Sequence, residues 1–194
     1  SRHIGRAEYT VFSDKTTSDL STIIYNDEEV ITIANKNLGN RFIHGFSLDG
    51  FNNLNRNFKI DYSLTYTKGD NNETYGPLPS ISPMFGSVSL NYKEKDLTVR
   101  AIYKFSDSKN PNEYSFGGED GLDETPYIYD TNGIKTFIGM PKWSDLSIYG
   151  SKKISSNSTL RLGISNIFDN HYRTFASGIS APGRSIQAGL NLEL

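Results

Sequence analysis

Apolar and polar residues alternate with a period of two along much of this chain. Between 57 and 68, Phe58, Ile60, Tyr62, Leu64 and Tyr66 alternate with Asn57, Lys59, Asp61, Ser63, Thr65 and Thr67. A helix cannot gather such a set on one side, whereas a strand sends successive side chains to opposite faces. The pattern returns at Leu97, Val99, Ala101, Tyr103 and Phe105, interrupted only by Ile102. It returns again at Leu160, Leu162 and Ile164, and at Ile186, Ala188, Leu190, Leu192 and Leu194. Fainter versions occupy 42–51, 85–93, 143–153 and 4–13. The periodicity predicts about eight strands and no helix.

The predicted strands run to about 10–12 residues, against about 5–6 in ordinary soluble sheets. At ~3.3 Å per residue that is roughly 35 Å of strand. Tilted by about 40°, it spans the ~25 Å apolar band of an outer-membrane barrel. The connections alternate in length. Short ones are Asn53-Leu54-Asn55, Glu94-Lys95 and Ser155-Ser156-Asn157; long ones cover 14–40, 70–82, 108–141 and 169–182. Short turns on one rim and long loops on the other are the layout of a transmembrane barrel, with the short turns periplasmic. The C-terminus is then expected at the periplasmic rim. Tyr66, Phe105, Trp143 and Phe168 are expected at the outer membrane interface, and Phe51, Phe58 and Tyr92 at the inner one, where aromatic rings suit the headgroup boundary. A soluble sandwich shares the alternation but not the strand length or the asymmetry of the rims.

Composition agrees with a membrane wall. No stretch approaches the ~18 apolar residues of a spanning helix, yet 12 Tyr, 11 Phe and 1 Trp are too many for a disordered chain. With 20 basic and 22 acidic residues there is no basic footprint for nucleic acid. The absence of cysteine removes disulfides and thiolate metal sites.

The last third carries a resemblance. Asn166-Ile167-Phe168-Asp169-Asn170-His171-Tyr172, then Pro182-Gly183-Arg184 and an alternating strand, resemble the C-terminus of TonB-dependent outer-membrane receptors. Gly76-Pro77-Leu78-Pro79 and the segment Ala7 to Leu20 are similar to less specific parts of the same family. The resemblance implies an all-β fold: an antiparallel transmembrane β-barrel of about 22 strands closed by a plug, of which this chain supplies about the last eight strands. It implies that residues 1–194 are the C-terminal part of that barrel, with the plug, the TonB-contacting segment and the earlier strands elsewhere. The implied partners are outer-membrane lipid and lipopolysaccharide, the plug and remaining strands, TonB, the barrel-assembly machinery and a small-molecule nutrient. The implied activity is energised import with no cofactor; iron as haem or siderophore is the favoured cargo, with cobalamin, other metals and oligosaccharides left open because the plug and the earlier loops set specificity. Gln187, Gly189, Leu192 and Leu194 resemble the C-terminal signal read by the assembly machinery, except that Leu194 stands where Phe is usual.

Two other readings stay open: a complete, self-closed eight-stranded barrel with a structural or adhesive role, and an outer-membrane hydrolase. For the hydrolase, Ser106 and Lys109 form a Ser-x-x-Lys without its usual companions, and the three histidines are far apart in sequence. Ligand contacts are expected on the outer loops, at Tyr114, Phe116, Tyr127, Tyr129 and His171, because loops on a rigid scaffold carry binding residues. The acidic run Glu119, Asp120, Asp123 and Glu124 lacks EF-hand spacing and reads as a solvated loop, not a metal site. Arg100, Lys104 and Arg161 fall on the polar face, where they are expected to line the lumen and meet the plug.

Overall fold

The computed structural model describes residues 3–25, 28–72, 76–115 and 120–193, with only the backbone given before residue 41 and at Asn72. Among these residues there is no α-helix, and eight long strands form one antiparallel sheet. They are β1 (His3–Tyr25), β2 (Glu28–Asn53), β3 (Phe58–Gly69), β6 (Phe85–Glu94), β7 (Leu97–Ser106), β10 (Trp143–Ser155), β11 (Ser158–Ser165) and β12 (Ser185–Leu192). Each pairs with its neighbours in chain order, so the sheet is a plain up-and-down meander. Two small hairpins, β4 (Asn71–Asn72) with β5 (Gly76–Pro77) and β8 (Tyr127–Tyr129) with β9 (Lys135–Phe137), sit in the long connections.

Register converts the sequence alternation into two continuous faces. Leu48 pairs with Leu64, Tyr62 with Val88, Leu90 with Ala101, Ala101 with Ile148, Ile148 with Ile164, and Ile164 with Ile186. Paired residues of antiparallel strands share a side, so these residues make one apolar face from β2 to β12. The aromatic pairs Phe46–Tyr66 and Tyr103–Phe105 lie on it toward the long-loop end, and Phe58–Tyr92, with centroids 4.8 Å apart, toward the short-turn end. From Phe58 to Tyr66 is roughly 26 Å along the strand, or about 20 Å across the sheet at a 40° tilt.

The opposite face is polar, and its short side chains satisfy one another laterally. Ser63 and Ser87 hydroxyls meet at 2.9 Å, Ser165 and Ser185 at 2.6 Å, and the Asn91 amide donates to Asp61 at 2.6 Å. Phe51 and Trp143 belong to this face, contrary to the interfacial role expected of them. Phe51 is in register with Asp61 and lies under the Lys59 ammonium, 4.3 Å from its ring centroid. Trp143 has the same parity as Asp145 and Ser147. Phe168 is exposed in the turn after β11.

The short-turn end is stitched by a repeated contact. The last turn residues Asn57, Asp96 and Asn157 each accept a backbone hydrogen bond, from Lys93, Lys153 and Glu193 respectively, at 2.8–2.9 Å. Glu193 therefore lies at the short-turn rim. At the other end, the 14–40 connection expected as a loop continues instead as the ribbon of β1 and β2, with a register shift between Asp14 and Thr16. Its β-branched residues suit extended backbone.

The sheet does not curl shut on itself. β1 and β12 are its two margins, which removes the self-closed eight-stranded barrel. Neither broad face has a core. The only buried large apolar residues among those described, Leu78, Tyr114 and Met140, are all in the long-loop cap.

Candidate functional site

Three long connections converge above the polar face. The last of them, 166–184, is held by Asn166, the most completely buried side chain described. Asn166 takes a left-handed φ of 49°, which Asn tolerates better than most residues. Its amide donates to the carbonyls of Asn170 (2.9 Å) and Pro182 (3.1 Å), and its oxygen accepts from the Asn170 N–H (3.0 Å). Its own N–H reaches Ser147 Oγ on the polar face of β10. Asp169 accepts the Arg184 N–H at 2.7 Å, and Asn170 donates to the Ser144 carbonyl at 2.8 Å. The Asn-x-x-Asp-Asn and Pro-Gly-Arg elements are thus two halves of one clip.

The clip sets Tyr172 against β10. Its ring stacks on Trp143 with centroids 4.2 Å apart and 16° between planes, and its hydroxyl donates to Asp145 at 2.9 Å. Burial, the hydrogen bond to Asp145 and that carboxylate's charge push the Tyr172 phenol up to about 12.

The second element is 107–142. Lys109 and Asp120 form an ion pair at 3.0 Å with side chains 3% and 2% exposed. Lys109 Nζ also donates to the Ile81 carbonyl at 2.6 Å and lies 4.8 Å and 4.3 Å from the ring centroids of Tyr114 and Phe175. Asp120 accepts the Ser80 N–H at 2.5 Å. The backbones of Lys109 and Met140 exchange two hydrogen bonds of 2.9 Å. Burial pushes the Tyr114 phenol up. Nearer β2, the Arg41 guanidinium is buried against Asp70 (3.0 Å) and the Gly76 carbonyl (2.7 Å).

Between these elements lies a cavity of about 670 Å³. Its walls are the 120–127 segment, Met140 to Trp143, and His171 to Gly178, with Tyr114 at the back. Of the residues expected to meet ligand, Tyr127 and His171 line it, and Tyr114 lines it while remaining buried. Tyr129 does not: it is 64% exposed on the β8–β9 hairpin, edge-on to Tyr127. Phe116 lies outside the described residues, as does Glu119. Sequence reasoning missed the Trp143–Tyr172 pair, Lys142 and Arg173. The parity of Trp143 with Asp145 was the available signal. The acidic run is corrected at Asp120, which is not solvated but buried against Lys109; Asp123 and Glu124 are exposed. No group of three or more His, Asp or Glu side chains among the described residues is placed to hold a metal ion. Ser106 and Lys109 do not face each other as a catalytic pair: Ser106 Oγ donates to the Asp107 carbonyl, and Lys109 is committed to Asp120 and Ile81.

Arg100, Lys104 and Arg161 all fall on the polar face, in register with Asn91, Ser87 and Ser151. Arg100 reaches Ser89 Oγ at 3.3 Å. Gln187 and Gly189 lie on the same face, opposite Gly163 and Arg161, whereas Leu192 lies on the apolar face; Leu194 is outside the described residues.

No protein-family profile and no curated protein matches the chain. Solved structures do. The copper transporter OprC superposes with a TM-score of 0.69 at 19% identity, over 98% of this chain and 28% of its own. The FpvAI structure in complex with pyocin S2 gives 0.62 at 14%, over 98% and 24%. The closed form of the ferric-catecholate import receptor Fiu from E. coli K12 gives 0.58 at 14%, over 97% and 27%. These neighbours are TonB-dependent receptors, and the fold is that of their barrel wall. The chain spans about a quarter of the length of the structures it matches.

Proposed function

We propose that this chain is the C-terminal wall of an outer-membrane, TonB-dependent importer that captures a scarce nutrient at the cell surface. The observation that carries the reading is the two-faced sheet: an uninterrupted apolar side bounded by aromatics, a polar side of short hydrogen-bonded residues, and every long connection at one end. Open edges of unpaired N–H and C=O groups each cost several kcal/mol in hydrocarbon, so β1 and β12 need partner strands to complete a barrel. On this reading residues 1–194 are the C-terminal part of the barrel, and the short-turn rim with the end of β12 is periplasmic. The assembly machinery reads Gln187, Gly189, Leu192 and Leu194, while the apolar face meets lipid and lipopolysaccharide. Arg100, Lys104 and Arg161 face a plug that connects to TonB.

The cargo site is the cavity under the long loops. The stacked Trp143–Tyr172 pair, Tyr127 and His171 suit a planar or cyclic aromatic ligand, which favours iron carried as haem or siderophore. Mixed charge from Asp123, Glu124, Lys142 and Arg173 at the rim suits a polar periphery on that ligand.

Adjacent residues on β3 test the membrane reading. In the intact protein Leu64→Arg places a charge on the apolar face and is expected to cost about 2–4 kcal/mol, while Ser63→Arg faces a wet lumen and costs little. Folded protein in outer-membrane fractions, scored by resistance to unfolding in detergent, should fall for the first and persist for the second. Equal effects would overturn the orientation. Uptake of labelled haem and ferric siderophores with and without TonB then tests the activity.

A further inference from the structure

We propose that the Lys109–Asp120 pair is the positioning element of the outer cap. It fastens three separate loops into one body and thereby fixes the back wall of the cavity before any ligand arrives. Every loop of the cap meets this pair. The 77–84 segment contributes the Ser80 N–H to Asp120 and the Ile81 carbonyl to Lys109. The 107–142 loop contributes both charges, the Tyr114 ring, and the Met140 backbone bridged to that of Lys109. The 166–184 loop contributes the Phe175 ring, 4.3 Å from the ammonium and adjacent in sequence to the cavity-lining residues Ala176 to Gly178.

Lys109 does not itself line the cavity, yet Tyr114, Asp120 and Met140, which do, are each held by it. It acts from behind the wall.

A surface ion pair joins two side chains weakly, but this one is buried on both sides, and removing one partner strands the other as an unpaired charge. The two charges are eleven residues apart, and the backbone groups they engage lie 28 and 40 residues away in sequence. A pair embedded in three loops cannot be broken in one of them alone. The cap therefore opens as a unit, if it opens, and does not flex loop by loop.

The inference concerns the cavity proposed above as the cargo site, but its test uses no cargo, so the two readings fail separately. Hydrogen exchange of the intact receptor in detergent is compared for wild type, Asp120→Asn, and Lys109→Met/Asp120→Asn. In Asp120→Asn the amides of 78–84, 109–115, 120–125 and 172–180 should lose protection together, by about 10²-fold. Those of β3 and β6 should be unchanged. The double variant removes the stranded charge, so it guards against simple misfolding; its three loops should still exchange at least about tenfold faster than wild type. Loosening confined to 109–125 would overturn the proposal. So would wild-type protection in the double variant, because the pair would then be two charges that merely neutralise each other.

Discussion

Replacing Asn166 by Ala probes the clip that seats Tyr172. The substitution removes three side-chain hydrogen bonds at a site closed to water: two to carbonyls and one from the Asn170 N–H. At about 1 kcal/mol net for each bond, the loss is roughly 3 kcal/mol. Alanine must also hold the left-handed φ of 49°, which adds about 1 kcal/mol. The sum, about 4 kcal/mol, corresponds to a nearly 10³-fold loss of protection at the Asn170 amide. Asn166→Gly separates the two contributions, since glycine loses the bonds but adopts the conformation freely; its loss should be about 10²-fold. Hydrogen exchange with mass spectrometry over 166–184 of the intact protein reads both. Protection within threefold of wild type in both variants would refute the clip. Equal losses in the two would refute the conformational share.

Other outcomes follow from the same geometry. With its phenol raised to about 12, Tyr172 stays neutral in the folded protein at pH values where the unfolded chain ionises near 10. The stabilisation from its bond to Asp145 is therefore complete below pH 10 and is lost as pH rises through about 12. Alkaline titration at 295 nm should show a late phase that Tyr172→Phe removes; an unchanged curve would contradict the contact. At Gly139, with φ 77°, a β-carbon would collide with the Lys109 carbonyl oxygen. Gly139→Ala should therefore break the Lys109–Met140 bridge and speed thermolysin cleavage within 107–142 by about tenfold or more; an unaltered cleavage rate would disprove this. On the proposed reading, in which the polar face meets a plug, Arg100→Ala/Arg161→Ala should loosen that plug and admit large antibiotics to cells, and unchanged leakage would remove those residues from plug contact.

The strands were legible because burial against an apolar medium imposes a two-residue period, and that period is written directly in residues such as Phe58 to Tyr66. The faces of Trp143 and Phe51 were legible too, by parity with Asp145 and with Asp49. Aromatic identity alone suggests the membrane interface for both, but position along the strand decides which face a side chain takes. The β1–β2 ribbon reads as loop because its polar residues dilute the alternation, although Ile23, Ile24, Val30, Ile31 and Ile33 favour strand. The cap could not be read. Asp120 looks like its acidic neighbours until Lys109 is brought against it, and no spacing rule announces an ion pair between two loop residues that also depends on Ser80 and Ile81. Tyr127 and His171, expected on the outer loops, both line the cavity, whereas Tyr129 on the same hairpin strand as Tyr127 does not.

The Asn166 clip has a consequence for how such chains diversify. Its polar groups are spent on closing a turn, and apart from Tyr172 its members stand away from the cavity. Selection on the turn and selection on the cavity wall therefore act on largely separate residues. On the proposed reading of the cavity as the cargo site, a lineage can exchange Tyr127, Lys142, His171 and Arg173 to suit a new cargo while Asn166, Asp169, Asn170 and Arg184 stay as they are. The stretch by which descendants would most readily be recognised as kin is then the stretch that says least about what each one carries.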